Sequence, residues 1–394
     1  MIDVDSIWFN RVMQVSVFKS ANKLITGEGA LANLANELSR LNIKAPAIIT
    51  DKGVSQSGAL SHVTNVLNCE CTIVIDDIPP EPEIGIIEQR LTRLKQHKVD
   101  GIIAVGGGSA IDSAKVLAAT FDYTGNITEL FGENLVAGRT LPLIAIPTTA
   151  GTGSEVTNIA ILADPIAQVK KGIVSDYLLP DVAIVTPEMT LSCPKHITAA
   201  SGVDAFVHAL EAYLSVNASP ITDALASKAM TLIFHSLPLA YANGHDIKAR
   251  EDMATGSLMA GLAFGNAGVG AVHALAYPLG GRFHLSHGMS NAVMLPHVMR
   301  WNIGACQQRF VDVAGFLHLP VANKTTLEIA NQVVDAIEAL CRNVEIPATL
   351  RDFDISEDAI PLLAEEASKV TRLLRNNPRV LSKQDIAQIY KEAF

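Results

Sequence analysis

Residues 202–213 read GVDAFVHALEAY, and inside this apolar stretch Asp204 and His208 stand four positions apart. On a helix that spacing puts both side chains on one face. Their neighbours Val203, Ala205, Phe206, Val207, Ala209 and Leu210 suit a core, where a carboxylate without a partner is costly. The pair fits a surface position, a simple Asp–His hydrogen bond, or a metal ion. Further on, residues 268–291 (GVGAVHALAYPLGGRFHLSHGMSN) place His273, His284 and His287 among glycines and apolar residues. With Asp204 and His208, three imidazoles and one carboxylate would suit a divalent transition metal, Fe2+ or Zn2+. No cysteine ligand tilts the set toward softer ions. Taken singly, each histidine reads as a structural or surface residue.

A second kind of chemistry is written in glycine. Residues 99–115, VDGIIAVGGGSAIDSAK, end an apolar strand pattern with Gly106, Gly107, Gly108 and Ser109 and then begin a helical one. Glycines let the backbone approach a ligand closely, and the free N–H groups at a helix start favour a phosphate. Asp112 and Lys115 follow on the first turns, with Lys115 placed to balance phosphate charge; the plain alternative is a tight turn with an Asp–Lys surface pair. This is not the GxGxxG fingerprint, and it follows the third predicted strand. The first predicted strand ends in Asp51, which suits either a ribose diol, favouring NAD over NADP, or a helix N-cap. A third stretch, PTTAGTGSE at 147–155, sets Thr148, Thr149, Thr152 and Ser154 after a strand. These can donate to phosphates or to a nicotinamide amide, or form an ordinary polar loop.

Positioning such groups needs a scaffold. Runs of β-branched residues at Ala47–Thr50, Cys71–Ile75, Gly101–Val105, Leu143–Pro147 and Val182–Thr186 predict strands. Helical patterns such as Ile86–Gln96 and Ala110–Thr120 lie between them, the alternation of a parallel sheet covered by helices. From about Lys195 the strand signals stop, and Pro220–Ala240, Ala249–Phe264, Leu327–Arg342 and Glu357–Leu374 predict helices. The expected fold class is α/β: an N-terminal parallel-sheet dinucleotide-binding domain, 1–188, then an all-helical metal- and substrate-binding domain, 189–394. A ligand belongs in the cleft beyond the carboxyl ends of the strands.

Composition narrows the partners. The 394 residues are 49% hydrophobic and 18% charged, enough apolar material for two cores. A formal net charge of −10 argues against nucleic acid, whose phosphates need a basic surface. No uncharged apolar run of membrane-spanning length occurs, and the start, MIDVDSIWFN, lacks the basic and apolar parts of a signal peptide. Cys69, Cys71, Cys193, Cys306 and Cys341 show neither zinc-type spacing nor a disulfide framework. A cytoplasmic protein with reduced thiols is expected, and base rates favour a homodimer or higher homo-oligomer.

Taken in order, these segments resemble the iron-containing (group III) alcohol dehydrogenases over nearly the whole chain. The likeness runs through LITGEGALANL (24–34), TDKG, GGGSAIDSAK, PTTAGTGSE, LLPDVAIVTPEMTLSCP, GVDAFVHALEAY, HALAYPLGG, HGMSNAVMLPHVMRWN and NNPR (376–379). The resemblance implies a fold like that of dehydroquinate synthase. It implies metal ligands Asp204, His208, His273 and His287, with the metal as Fe2+ or, alternatively, Zn2+. It assigns GGGS to the pyrophosphate of NAD(H), PTTAGTGSE to the nicotinamide side, and Lys170, rather than its neighbour Lys171, to the nicotinamide ribose. The implied reaction is hydride transfer between NAD(H) and a small primary alcohol or diol and its aldehyde. Alternatives on the same scaffold are a hydroxyacid–oxoacid transhydrogenase, a maleylacetate reductase and a lyase that uses NAD transiently. One position departs. Many members carry a histidine four residues after the third ligand, often linked to proton transfer, and here it is Tyr277. A phenol titrates too high to shuttle protons at neutral pH, so the proton leaves through ribose hydroxyls and water, or through His284.

Overall fold

The computed structural model describes residues 15–164 and 169–394. The acidic N-terminal stretch MIDVDSIWFN lies outside them. Among the described residues nine strands form: β1 (Leu24–Thr26), β2 (Pro46–Ile49), β3 (Ile73–Ile75), β4 (Gly101–Gly106), β5 (Gly132–Glu133), β6 (Leu143–Pro147), β7 (Ile159–Asp164), β8 (Val169–Val174) and β9 (Val182–Val185). Six of them make one sheet in the order β1-β9-β6-β4-β2-β3, and every pairing in it is parallel. Ile48 of β2 stands level with Val74 on one side and Ile103 on the other. A smaller sheet, β5-β8-β7, lies apart, its β7 and β8 antiparallel.

The helices of the first half are α1 (Leu34–Arg40), α2 (Lys52–Gln56), α3 (Ala59–Asn65), α4 (Ile84–Lys95) and α5 (Gly108–Thr120). They cover both faces of the large sheet. Alternate side chains of a strand point to opposite faces, so Ile102 and Ala104 pack with Ile87, Ile111 and Leu117. Ile103 and Val105 pack on the other face with Leu34, Leu38 and Val63. With two covered faces, β2, β4, β6 and β9 are buried at every residue, which is why they read as continuous apolar runs rather than alternating ones.

All five predicted strands are present, Leu143–Pro147 with the expected ends and the other four shifted by one or two residues. The strands with no signal are β1, β5, β7 and β8. Of these, β8 (VKKGIV) carries two lysines and a glycine, and its partner supplies the ladder that its composition does not suggest. Because β1 comes first, Asp51 follows the second strand rather than the first. For the same reason the glycine turn follows the fourth strand rather than the third.

From Lys195 onward the described residues hold helices and no strand. These are α6 (Lys195–Leu214), α7 (Pro220–Ala242), α8 (Ile247–Ala267), α9 (Ala271–Phe283), α10 (His287–Phe316), α11 (Thr326–Asn343), α12 (Ile360–Ser368), α13 (Thr371–Leu374) and α14 (Lys383–Glu392). Helix α6 is central, buried at every residue from Gly202 to Leu214. The segment Glu357–Leu374, expected as one helix, is broken. A 3-10 turn opens it, and Val370, with φ −79° and ψ 52°, interrupts the helix between α12 and α13. The break turns Arg372 and Leu373 toward the cleft described below.

The two halves dock where the loop after β6 presses on α8. Gly153 has φ +60°, and a Cβ there would stand 2.5 Å from the Gly261 Cα. Backbone meets backbone only because both positions are glycine. No single helix among the described residues is long and apolar enough to cross a membrane; α8 and α9 together have the composition, but meet at a 102° bend. All five cysteines are free.

Candidate active site

Asp204 and His208 lie on α6, His273 two residues into α9, and His287 at the first position of α10. One ligand-type atom from each falls within 4.8 Å of the others. Asp204, His208 and His273 are almost fully buried, at 2%, 3% and 2% exposure. Burial raises the Asp204 carboxyl, but His208, His287, His273 and the Asn291 amide outweigh it and hold the group below its usual range. Burial pushes His208 down to about 4 and His287 to about 3, against the pull of Asp204. Both rings are therefore neutral, the form that offers a lone pair.

The partners of each ring decide which nitrogen is free. His208 Nδ1 lies 3.2 Å from the Gly151 carbonyl and donates to it, leaving Nε2 for the centre of the group. His273 Nδ1 lies 2.6 Å from Glu211 Oε2, and its Nε2 is buried with no hydrogen-bond partner. An orphaned buried acceptor facing a carboxylate and two neutral imidazoles is what a divalent cation would satisfy. The residues present fit such an ion. Phe264 and His273 flank the His208 ring, with centroids at 4.1 and 4.7 Å.

Two residues of this site were not singled out from the sequence. Glu211 follows His208 by three positions and Asp204 by seven, the same helix face, and it accepts from Val272 N–H at 2.7 Å as well as meeting His273. Asn291, four after His287, donates to Asp204 Oδ1 at 2.6 Å. Its amide nitrogen also stands 3.2 Å from His287 Nε2. The helix periodicity applied to Asp204 and His208 would have found both, had it been extended along the same faces, with Glu211 at i+3 from His208 and Asn291 at i+4 from His287.

One cleft runs from the metal-type group to the glycine turn. Gly108, Ser109, Asp112, Thr152, Ser154, Lys170, Tyr277, His208, His273 and His287 all line it. Gly106 has φ +156°, and a Cβ there would meet Ala110 Cβ at 2.7 Å and Asp51 Oδ2 at 3.2 Å. A Cβ on Gly108 would strike Thr152, and one on Gly107 would lie 3.4 Å from Thr149 Oγ1. Gly108 and Ser109 bring the turn to the cleft, and neither Gly106 nor Gly108 leaves room for a side chain. Thr148 is buried, its N–H on the Gly106 carbonyl at 3.0 Å. Asp51 caps α2, with Oδ1 accepting from Val54 N–H at 3.0 Å while Oδ2 faces Gly106. The cap and the ribose readings use different oxygens. The Ser109 hydroxyl accepts from Glu81 N–H at 3.1 Å. Lys170 lies on the cleft wall, its amine 2.6 Å from Glu81, whereas Lys171 pairs with Asp164 at 2.7 Å, is partly exposed and is not among the cleft residues.

Three expectations are corrected by position. Lys115 is fully buried and turns away from the turn, donating to Ile159 O at 2.7 Å and Thr157 Oγ1 at 3.1 Å. Asp112 is not a surface group either. Its carboxylate accepts from the Ser154 hydroxyl and from Ile161 N–H at 2.9 Å, with Lys115 Nζ at 3.6 Å. Both residues tie α5 to β7, Lys115 beneath the cleft and Asp112 at its edge. His284 is the left-handed C-cap of α9 (φ 57°), exposed and away from the cleft lining, so it is not placed to relay a proton. Tyr277 does line the cleft. Burial raises its phenol above the ordinary value, against the Arg372 guanidinium beside it.

Residues 21–187 match the family described as iron-containing alcohol dehydrogenase, and residues 198–394 match the C-terminal part of the Fe-containing alcohol dehydrogenase family. The chain belongs to the iron-containing alcohol dehydrogenases. It is 45% identical over 373 residues to long-chain-alcohol dehydrogenase 1 of Geobacillus thermodenitrificans, covering 93% of this chain and 94% of that protein. It is 37% identical to the NAD-dependent methanol dehydrogenase of Bacillus methanolicus, with 94% and 97% covered. A crystal structure of 1,3-propanediol oxidoreductase superposes with a TM-score of 0.93 at 36% identity, covering 97% of this chain and all of that one. As a member of the iron-containing alcohol dehydrogenases, the chain is an oxidoreductase acting between alcohols and aldehydes, with an N-terminal parallel sheet and a helical second part.

Proposed function

We propose that this iron-containing alcohol dehydrogenase interconverts a small primary alcohol or diol and its aldehyde with NAD(H), Asp204, His208, His273 and His287 holding Fe2+ or Zn2+. The convergence of those four donors within 4.8 Å carries the reading. When bound, the ion would polarise the substrate oxygen and the nicotinamide would carry the hydride. The chain's own residues do the rest. Gly106, Gly107, Gly108 and Ser109 open the start of α5 to a diphosphate, while Thr148, Thr149 and Thr152 back that turn. Lys170 and Asp112 border the nicotinamide side, and Asp51 offers a carboxylate to an adenosine ribose, where it would repel a 2′-phosphate. The apolar wall of Phe264, Val269 and Leu373 excludes water from the hydride path. Tyr277 stays protonated at neutral pH, so it can donate a hydrogen bond but not accept the alcohol proton, which passes to solvent through ribose hydroxyls and water.

The halves 1–188 and 189–394 would act as cofactor-binding and metal- and substrate-binding domains, in a cytoplasmic homodimer or higher homo-oligomer that binds neither nucleic acid nor membrane. Metal content of anaerobically purified protein, read together with NADH oxidation over a panel of aldehydes, tests the reading. About one Fe2+ or Zn2+ per chain is expected, with aldehyde-dependent loss of NADH. His273→Ala is expected to lose metal and turnover together. A His273→Ala protein that keeps both would sink the ligand assignment. Metal-loaded protein that binds NAD but reduces no aldehyde would end the dehydrogenase reading.

A further inference from the structure

Three arginines stand on and just after α13, the short helix at the cleft. Arg375 pairs with Glu133 at 3.0 Å. Arg379 lies over the Trp301 ring, 4.6 Å from its centroid, and donates to the Trp301 carbonyl at 3.0 Å. Arg372 instead lines the cleft, beside the Tyr277 phenol, with a terminal nitrogen 3.5 Å from where a Cβ on Gly172 would stand. Among the described residues no carboxylate forms an ion pair with it. The other charges on the wall are already matched: Lys170 by Glu81, and Asp112 by Lys115, Ser154 and the Ile161 N–H.

The Arg372 guanidinium shares the cleft with the apolar Ile159, Ile161, Val269 and Leu373, and the Tyr277 phenol beside it engages only part of its five donors. Its planar fork matches an anion's two oxygens. The cofactor diphosphate has donors elsewhere, at the glycine turn and the start of α5. Tyr277 and Arg372 line the same cleft as the metal-type group, with Tyr277 four residues beyond His273 on α9 and its ring centroid 6.4 Å from that of His287. We infer that Arg372, with the Tyr277 hydroxyl as a second donor, recognises a terminal carboxylate-type anion on the substrate. Preferred substrates are then short aldehydes and alcohols bearing such a group, rather than plain alkyl chains. The inference rests on the dehydrogenase reading above and names the substrate class of that site.

Steady-state NADH oxidation by the metal-loaded enzyme tests it, with 4-oxobutanoate, its methyl ester and pentanal as substrates, for the wild type, Arg372→Leu and Arg372→Lys. The wild type is expected to favour 4-oxobutanoate over the ester by about 10- to 100-fold in kcat/KM. Arg372→Leu should bring that ratio close to parity, and Arg372→Lys should restore part of it. Parity in the wild type, with clear turnover of pentanal, overturns the inference and leaves the dehydrogenase reading standing. A loss in Arg372→Leu shared by all three substrates, with a raised KM for NADH, overturns it by assigning the guanidinium to the cofactor. No NADH loss with any aldehyde overturns the dehydrogenase reading and this inference with it. The wild-type ratio decides even where a variant fails to fold.

Discussion

Glu211 holds His273 by its far nitrogen, with Oε2 2.6 Å from Nδ1, while its Oε1 accepts from the Val272 N–H at 2.7 Å. One carboxylate thus fixes both the ring and the backbone of the turn that carries it. A carboxylate behind a histidine ligand sets its tautomer and raises its basicity toward a metal. Glu211→Ala is expected to weaken Fe2+ or Zn2+ binding by about 10- to 100-fold. Glu211→Gln should lose less, because its amide oxygen can still accept from Nδ1–H. Chelator-competition titration measures both. Equal affinity in wild type and Glu211→Ala would reduce the contact to packing.

Asp51 tests the choice of cofactor. Its Oδ2 faces Gly106 at the glycine turn while Oδ1 caps α2. Asp51→Ser keeps a capping oxygen, so the structural cost is small, but it removes the charge that would repel a 2′-phosphate. The ratio of kcat/KM for NADH to that for NADPH should fall by at least about tenfold. An unchanged ratio would leave Asp51 as a cap alone.

How much of this was legible depends on what each residue touches. The metal-type group was visible because helix periodicity and residue type are local: Asp204 and His208 advertise themselves four apart. The buried strands showed for the same reason, since covering both faces of a sheet demands apolar residues at every position. Lys115 and Asp112 misled, because a lysine three residues past an aspartate reads as a surface pair. Only the tertiary position of β7, a strand with no sequence signal, shows both side chains turned to that strand, Lys115 fully buried and Asp112 at the edge of the cleft. His284 misled differently. Its place near the ligands in sequence says nothing of α9 ending at that residue and turning it out to solvent. Arg372 went unnoticed because its segment was taken as one continuous helix, and the break at Val370 is what turns it inward.

The docking of the two halves gives a packing prediction. A Cβ on Gly261 would lie 2.8 Å from the Gly153 Cα and 3.0 Å from its carbonyl oxygen. Backbone cannot yield as a flexible side chain does, so Gly261→Ala should destabilise the fold by about 1–3 kcal/mol. Urea unfolding followed by circular dichroism would show it as a lowered midpoint at unchanged slope. Gly304→Ala, where a Cβ meets nothing within 4 Å, is the control and should not lose stability. If Gly261→Ala unfolds with Gly304→Ala, the close approach carries no energetic weight.

Glu155 supplies the dependence on pH. Burial pushes its carboxyl from the ordinary 4.5 to about 7, with Lys115 opposing the shift. Between those values the native chain keeps a proton that the unfolded chain has released. Stability then falls as pH rises through that window, by at most about 1.4 kcal/mol per pH unit from this one group. Below the lower value both states are protonated and the group is neutral to stability; above the upper one the whole penalty of a buried carboxylate is present. Glu155→Gln keeps the shape without the titration, so its stability curve should be flatter between pH 4.5 and 7. The gap between variant and wild type should widen toward neutrality. Parallel curves for the two proteins would show that Glu155 ionises in the fold as easily as in the open chain, with Lys115 compensating in full.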